Sequence, residues 1–327
     1  MEKLLEKRNE IDRQIRQLYQ QRMALSEEMN TGEASGSLRQ LLQEAIDHTE
    51  KSFPEYATVA CQGVEGAYSE AAARKLFQYP GIMYFKSFEN IFSAIESGMC
   101  EYGILPIENS TAGSVNMTYD LMSAHKFYIV RSIRLKIDHN LMVRPGTKRD
   151  DIKEIFSHQQ AFAQCEKTLR TEFKDVKLTI VANTAEEAKM VAASDSGDKA
   201  AICSPECAVI YGLEAQVDDI QDHNHNYTRF ICITKKPAIY AGADKTSFLA
   251  ILSNKPGSLY EVLKKFNDIG YNLIKLESRP IPETEFQFMF YFDFEASVYH
   301  KDFINTMCEL EETCEMMEYL CSYSEKI

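Results

Sequence analysis

Between Tyr56 and about Lys236, short apolar runs alternate with stretches of helical composition: ATVAC, EAAARKLF, IMYF, ENIFSAIES and YGILPI. Strand-length apolar runs separated by helical segments predict repeated strand–helix–strand units, hence an α/β fold with largely parallel sheets. In such folds ligands bind outside the carboxyl ends of the strands. The turns that follow the strands are therefore where chemistry is to be sought.

The flanks are built differently. From about Lys245 the order is strand (TSFLAILS), loop (NKPGS), helix (LYEVLKKFNDIG), strand (YNLIKLESR), strand (EFQFMFYFDFE), helix (about 299–315) and strand (MEYLCSY). This βαββαβ order predicts a ferredoxin-like sandwich. Phe286, Phe288, Phe290, Phe292 and Phe294 share one face of its third strand, which the period of two makes a buried face. Lys235–Asp244 reads as the linker. At the other end, Leu4, Arg8, Ile11, Ile15, Leu18, Arg22, Leu25 and Met29 step by fours and threes, a heptad seam that needs a partner helix and predicts a dimer. Thr31–Ser37 breaks that helix, and a shorter one is expected from about Leu38 to Thr49. The chain thus divides into a helical segment (1–50), an α/β domain (56–236) and a C-terminal domain (245–327).

A formal net charge of −13 and the lack of a dense Lys/Arg run argue against nucleic-acid and anionic-membrane partners. The first thirty residues contain no apolar leader core and no run approaches a membrane span, so a cytoplasmic protein is expected. The nine cysteines are odd in number and scattered, which suits buried reduced thiols better than a disulfide framework. Cys203 and Cys207 lack a matching cluster, and His223 and His225 read as a polar loop. No metal is expected, and no GxGxxG loop or P-loop suggests a nucleotide cofactor.

Four turns of the α/β domain carry clustered polar residues. In Gln62–Ser69 two glycines and a helix start, at Gly66, Ala67 and Tyr68, let backbone approach an anion. In Leu105–Val115 a strand runs into Glu108, Asn109, Ser110, Thr111 and Ser114, offering amide and hydroxyl groups. In Ser157–Cys165, Ser157 and Gln160 have capping-box spacing, while Ser157 and Gln164 lie two turns apart on nearly one face. In Asp222–Phe230, Asn226, Thr228 and Arg229 set a hydroxyl beside a cation at a strand entrance. Together these residues predict a polar cleft for a small oxyanion-bearing ligand, in an enzyme or in a binding protein.

The four segments GVEGAYSEAA (63–72), LPIENSTAGSV (105–115), SHQQAFAQC (157–165) and YGLEAQVDDIQDHNHNYTRF (211–230) resemble, in order and spacing, the prephenate dehydratase family. KPGSLYEVL (255–263) and ESRP (277–280) look like the regulatory ACT domain of these enzymes. The resemblance implies two α/β lobes, each folded like a bilobal periplasmic binding protein, with the active site between them. It implies decarboxylative dehydration of prephenate to phenylpyruvate without a cofactor. Carried over from the family, Thr228 donates or relays the proton to the leaving hydroxyl, and Arg229 polarises the site or holds a carboxylate. Asn109, Ser157 and Gln164 position the substrate, and Glu108 competes for the role of general acid. Ser110, Thr111, Gly66, Ala67, Tyr68 and Asn226 complete the substrate site.

The resemblance also implies feedback inhibition by L-phenylalanine bound between two ACT domains, near Gly257, Ser258 and Leu259 and near Glu277, Ser278, Arg279 and Pro280, in a homodimer or homotetramer. Two departures stand out: Gln159 replaces a family proline, and Tyr260 replaces a valine. The N-terminal helix resembles the first helix of chorismate mutase, with Arg22 matching a family arginine. The helix that should follow is missing, and the polar positions of the last helix fall at Ala45 and Thr49. A dimerising relic without mutase activity is expected. Arogenate as substrate, a bifunctional mutase-dehydratase and a non-catalytic ligand sensor are the alternatives.

Overall fold

A computed structural model of the protein describes residues 38–181, 184–194, 196–281 and 287–326. The heptad seam with Arg22, the Thr31–Ser37 break and Phe286 lie outside these residues.

Three strands open the first lobe: β1 (Tyr56–Gln62), β2 (Tyr79–Phe85) and β3 (Tyr102–Asn109) run parallel, with β1 between the other two. Helices Tyr68–Leu76 and Phe88–Glu96 make the crossovers. Close packing of the second helix on β3 depends on Gly103, where a Cβ would stand 2.5 Å from Ile91 Cγ2 and 2.6 Å from Ile95 Cδ1. The two-residue β4 (Gly113–Ser114) folds back on β3, and helix Asn116–Ala124 leads into β5 (Tyr128–Lys136). The chain then crosses at Ile137–His139 into a second lobe holding β6 (Asn140–Val143), β7 (Glu154–Ser157), β8 (Lys177–Ile180), β9 (Lys199–Cys203) and β10 (Glu214–Val217). These form a sheet of order β10-β6-β9-β7-β8. A second crossover returns the chain as β11 (Tyr227–Thr234), which inserts antiparallel between β5 and β3. Both sheets are consequently mixed and not largely parallel. The segments that pass between lobes enter each sheet from the far end, against the sense of the βαβ units.

The C-terminal unit has the βαββαβ order. Its strands β12 (Lys245–Ile251), β13 (Asn272–Pro280), β14 (Phe288–Glu295) and β15 (Met316–Lys326) pair antiparallel in the order β13-β14-β12-β15. Helices Ser258–Ile269 and Phe303–Thr313 complete it. The end of β15 also pairs parallel with β5, through Ser324, Glu325 and Lys326, so one sheet runs from the C-terminal unit into the first lobe.

This continuity changes the expected burial of β14. Phe292 and Phe294 are fully buried with Phe248, Phe266 and Phe303, whereas Phe288, at the strand start, is exposed. The opposite face is buried too, because Met289 and Tyr291 pack with Tyr119, Met122 and Ile231 of the first lobe. The strand is thus sandwiched between its own helices and the neighbouring lobe. Helix Leu38–Asp47 buries Leu42 and Ala45 against Phe303, Met307 and Leu310, and Arg39 Nη2 donates to Asn305 Oδ1 at 3.0 Å. Lys235–Asp244 is no loose tether: Ile239, Tyr240 and Ala243 are buried, and the Tyr240 and Tyr102 hydroxyls stand 2.9 Å apart. All nine cysteines are free thiols, seven of them buried. No helix of the described residues is long and apolar enough to cross a membrane.

Candidate active site

A cavity of about 390 Å³ lies where the two lobes meet. The first lobe lines it with Gln62, Tyr68, Ser69, Phe88, Asn109, Met117, Thr228 and Phe230, the second with His158, Gln160, Ala161 and Gln164, and the crossover with Ile137 and His139. Asn109 and Thr228 face each other across β3 and β11.

The polar atoms here form a chain whose direction can be worked out from one end. The backbone N–H groups of Thr111 and Ala112 can only donate, and both lie within 3.0 Å of Asn109 Oδ1, which is therefore an acceptor. Asn109 Nδ2 then donates to Thr228 Oγ1 at 2.9 Å and to Asn226 Oδ1 at 2.7 Å. Asn226 Nδ2 must in turn donate to Gln164 Oε1, at 3.0 Å. Gln164 Oε1, an acceptor, also faces His139 Nε2 at 2.8 Å, so that nitrogen carries the proton and Nδ1 carries the lone pair. Gln164 Nε2 donates to Thr111 Oγ1 at 3.2 Å, and that hydroxyl donates onward to Asn109 Oδ1 at 2.7 Å, closing a loop between the lobes. Every direction is consistent. Thr228 Oγ1 is held as an acceptor, which leaves its own proton for a molecule in the cavity.

His139 was not anticipated from the sequence. It is buried, its Nδ1 has no hydrogen-bond partner, and burial pulls its pKa below the ordinary histidine value despite the bond to Gln164. The imidazole is therefore neutral at pH 7. A single histidine in KIDHNLMV looks like any core histidine; only the position of the lobe crossover makes it a cavity residue. His158 and Phe230 are also in the lining, the former capping helix Gln159–Gln164 by accepting from Gln160 N through Nδ1. Phe230 follows Thr228 by two residues and so shares its face of β11.

Three expected residues are turned away from the cavity. Ser157 ends β7 fully buried, its Oγ 3.1 Å from Glu187 Oε1 and 2.9 Å from the Ile202 carbonyl oxygen; it neither caps the helix nor reaches a ligand. Glu108 and Arg229 neighbour Asn109 and Thr228 in sequence, and strand alternation sends their side chains to the opposite face. There Arg229 Nη1 meets Asp293 Oδ2 at 2.5 Å and Glu108 Oε1 at 3.5 Å, while Nη2 donates to the Tyr323 hydroxyl at 3.1 Å. Burial works against the guanidinium's charge, but Tyr323, Asp293, Tyr291 and Glu325 around it outweigh that, and its pKa lies above the ordinary arginine value. Glu108 Oε2 lies 3.4 Å from Lys275 Nζ.

Of the remaining residues, Ala67 and Tyr68 line the cavity, at the start of helix Tyr68–Leu76. The Tyr68 hydroxyl donates to the Asp138 carbonyl at 2.6 Å. Gly66 lies behind them and ties the lobes: its N–H donates to Glu70 Oε2 at 2.7 Å and its carbonyl accepts from Ser204 Oγ at 3.1 Å. Ser110 Oγ donates to the His225 carbonyl and braces the return crossover. Thr111 and Asn226 belong to the chain of hydrogen bonds just described. In the C-terminal unit Ile251 and Arg279 both lie opposite Met289, so the Gly257–Leu259 turn and the Glu277–Pro280 strand end share one end of that sheet. Glu277 Oε2 there accepts from Ser114 Oγ at 2.5 Å, and Arg279 makes a two-bond pair with Asp120 at 2.7 and 2.9 Å. Ser258 Oγ stands 2.8 Å from Ser253 Oγ. Among the described residues no group of three His, Cys, Asp or Glu side chains is placed to hold a metal.

Comparison with known proteins gives this geometry a context. The chain is 38% identical over 277 residues to arogenate dehydratase/prephenate dehydratase 2, chloroplastic, of Arabidopsis thaliana, covering 81% of this chain and 72% of that relative. It is 36% identical over 236 residues to the bifunctional chorismate mutase/prephenate dehydratase of Stutzerimonas stutzeri, covering 72% of this chain and 64% of that one. Among solved structures, the prephenate dehydratase of Arthrobacter aurescens in complex with L-Phe superposes with a TM-score of 0.75 at 28% identity, over 82% of this chain and 89% of that chain. A structure described as a quorum-quenching acylase, GqqA, gives 0.74 at 27% identity, over 82% and 98%. The profile of the prephenate dehydratase family matches residues 59–238, more than half of the chain and the whole of the cavity, and the chain belongs to that family.

Proposed function

We propose that the cavity converts prephenate to phenylpyruvate, with Thr228 as the hydrogen-bond donor to the departing ring hydroxyl. The observation that carries this is the direction of the amide chain, which makes Thr228 Oγ1 an acceptor from Asn109 and leaves its proton unused. In the reaction the ring carboxylate leaves as carbon dioxide, its bonding pair enters the ring, and the carbon–oxygen bond to the hydroxyl breaks as the ring aromatises. Charge builds on the departing oxygen, which takes the Thr228 hydroxyl proton and leaves as water; solvent returns a proton to the threonine oxygen, so the net reaction consumes one proton. An alcohol and water have comparable acidity, so a hydrogen bond shared between them is well matched at the moment the bond breaks. A donor already aimed and desolvated needs no reorganisation then.

The rest of the cavity suits a dianion with an apolar ring. Phe88, Met117 and Phe230 supply the ring's walls, and amide and imidazole groups of Gln62, Gln160 and His158 offer donors. The first turn of helix Tyr68–Leu76 adds backbone N–H groups with no intrahelical acceptor, at the positive end of the helix dipole. Acyl transfer, by contrast, needs a hydroxyl joined to a base. Here Ser69 Oγ donates to the Gln62 carbonyl at 2.6 Å, and Thr228 pairs with Asn109 and not with a histidine.

L-phenylalanine is the effector in this reading, received at the end of the C-terminal sheet that holds Gly257–Leu259 and Glu277–Pro280, in a cytoplasmic homodimer or homotetramer. The L-Phe complex of the Arthrobacter aurescens relative supports L-phenylalanine as the ligand. The test is a timed assay of the purified chain on prephenate and on arogenate, with and without phenylalanine. Phenylpyruvate formed from prephenate at the higher kcat/KM, and suppressed by phenylalanine, is the expected result. Preference for arogenate would move the substrate assignment to that compound, and turnover of neither would end the enzymatic reading.

A further inference from the structure

Arg229 sits one residue from Thr228, yet most of what it touches belongs to the C-terminal unit. Its side chain is 3% exposed. Nη1 bonds Asp293 of β14, Nη2 bonds Tyr323 of β15, and Nε lies 2.9 Å from Glu325 Oε1, also of β15. Asp293 is itself fully buried and accepts from Ser247 Oγ and from the Tyr323 hydroxyl, each at 3.0 Å. The guanidinium is thus enclosed by carboxylates already, on the far side of the strand from the cavity. A substrate carboxylate has no path to it.

A second, independent feature lies beside it. The ladder between β11 and β3 is irregular here: Arg229 pairs with Glu108, but Phe230 pairs with Pro106, so β3 carries an extra residue. Such a bulge bends and twists a strand and interrupts its hydrogen bonding. Backbone pairing alone therefore leaves the Thr228–Asn109 end of this ladder adjustable, and the Arg229 side chain fixes it from behind. The partner side is tied as well, since Lys275 Nζ lies 2.8 Å from Ser114 Oγ and 3.4 Å from Glu108 Oε2.

We infer that Arg229 is a positioning residue: Asp293 of the C-terminal unit holds it so that the bulged end of β11 keeps Thr228 opposite Asn109, and it is not a ligand of the substrate. The inference rests on Thr228 being the cavity's proton donor. It gives the C-terminal unit a direct hand in the geometry of the reaction, since any rearrangement of β14 or β15 moves the strand that carries Thr228.

The test uses the 327-residue chain and the variants Asp293→Asn, Tyr323→Phe, Arg229→Lys and Arg229→Gln. Each is assayed for kcat and KM on prephenate, and for deuterium uptake by the peptide spanning Tyr227–Thr234. Positioning predicts that Asp293→Asn lowers kcat on the order of 10- to 100-fold with KM within about twofold, and speeds exchange at that peptide. Tyr323→Phe, the milder variant, should lower kcat about threefold in the same pattern, and Arg229→Lys should restore more activity than Arg229→Gln. If Arg229 held substrate instead, its variants would raise KM while Asp293→Asn and Tyr323→Phe left kcat and exchange unchanged, and the inference would be overturned. It would equally fail if the variants lost only thermal stability, with kcat and exchange at Tyr227–Thr234 as in wild type. Should Asp293→Asn not fold, Tyr323→Phe decides by the same two readouts. A wild-type chain inactive on prephenate would retire the substrate reading alone, because the exchange measurement still decides whether Asp293 fixes β11.

Discussion

The two faces of β11 are held by opposite kinds of chemistry. On the cavity face Thr228 belongs to a neutral chain of Asn109, Asn226, Gln164 and His139, with no charged group among its members. On the other face Arg229 lies in a cluster of charges with the buried carboxylates of Asp293 and Glu325 and with the partly exposed Glu108. Charges hold strongly, but they do not say which atom carries a proton. Neutral amides are weaker, yet each has one accepting and one donating end, so the chain specifies the state of every member. An enzyme that must present one hydroxyl proton to a dianion gains from having direction on the reactive face and strength behind it. A fixed carboxylate beside Thr228 would capture that proton and repel the substrate.

The strongest way to break this contrast is to insert a charge into the neutral chain. Asn109→Asp keeps the shape but cannot donate to Thr228 Oγ1, so the hydroxyl would turn and donate to the new carboxylate. Initial-rate measurements should show kcat lowered on the order of 10²- to 10³-fold. Activity near that of wild type would mean that the direction of the chain does not matter.

Opening the charged face should cost fold stability first. Arg229→Ala strands Asp293 without its partner, and removing one member of a buried pair typically costs about 3–5 kcal/mol. Urea denaturation should show a loss of that order, and a loss under about 1 kcal/mol would contradict the account of the cluster.

A smaller effect comes from pH. Because His139 is buried and its pKa is lowered, the unfolded chain binds a proton near pH 6.5 that the folded chain refuses. Stability therefore rises with pH through the window just below 6.5 and is lost as pH falls into it. His139→Gln should flatten that part of the stability–pH curve in denaturation measurements. An unchanged curve would mean that His139 does not contribute to it. The smallest expected effect is at Arg279→Ala, whose pair with Asp120 is partly exposed; thermal unfolding should register less than about 1 kcal/mol.

Much of the architecture was legible because it rests on periodicity. Alternating strands and helices in 56–236 and the βαββαβ order after Lys245 follow from apolar spacing alone. The sense of β11 was not, since whether a strand returns parallel or antiparallel depends on where the chain crosses between lobes. The second buried face of β14 escaped for a related reason: Met289, Tyr291 and Asp293 contact the neighbouring lobe, and Asp293 reads as a solvent residue until Arg229 is seen opposite it. Asn109, Gln164, Thr228, Ala67 and Tyr68, which the polar turns mark in the sequence, all line one cavity. Arg229 and Glu108 were grouped with their neighbours although strand alternation already separates them, a signal present in the sequence. Ser157 gave no such signal, because its cap spacing and its burial at the end of β7 cannot be told apart without the sheet.

The claim that the neutral face does the chemistry is tested most directly by comparing Thr228→Ala with Glu108→Gln in a phenylpyruvate assay. The account predicts that Thr228→Ala lowers kcat on the order of 100-fold or more with little change in KM, while Glu108→Gln stays within about tenfold of wild type. The reverse order, with activity surviving in Thr228→Ala and lost in Glu108→Gln, would place the proton donor on the charged face and contradict it.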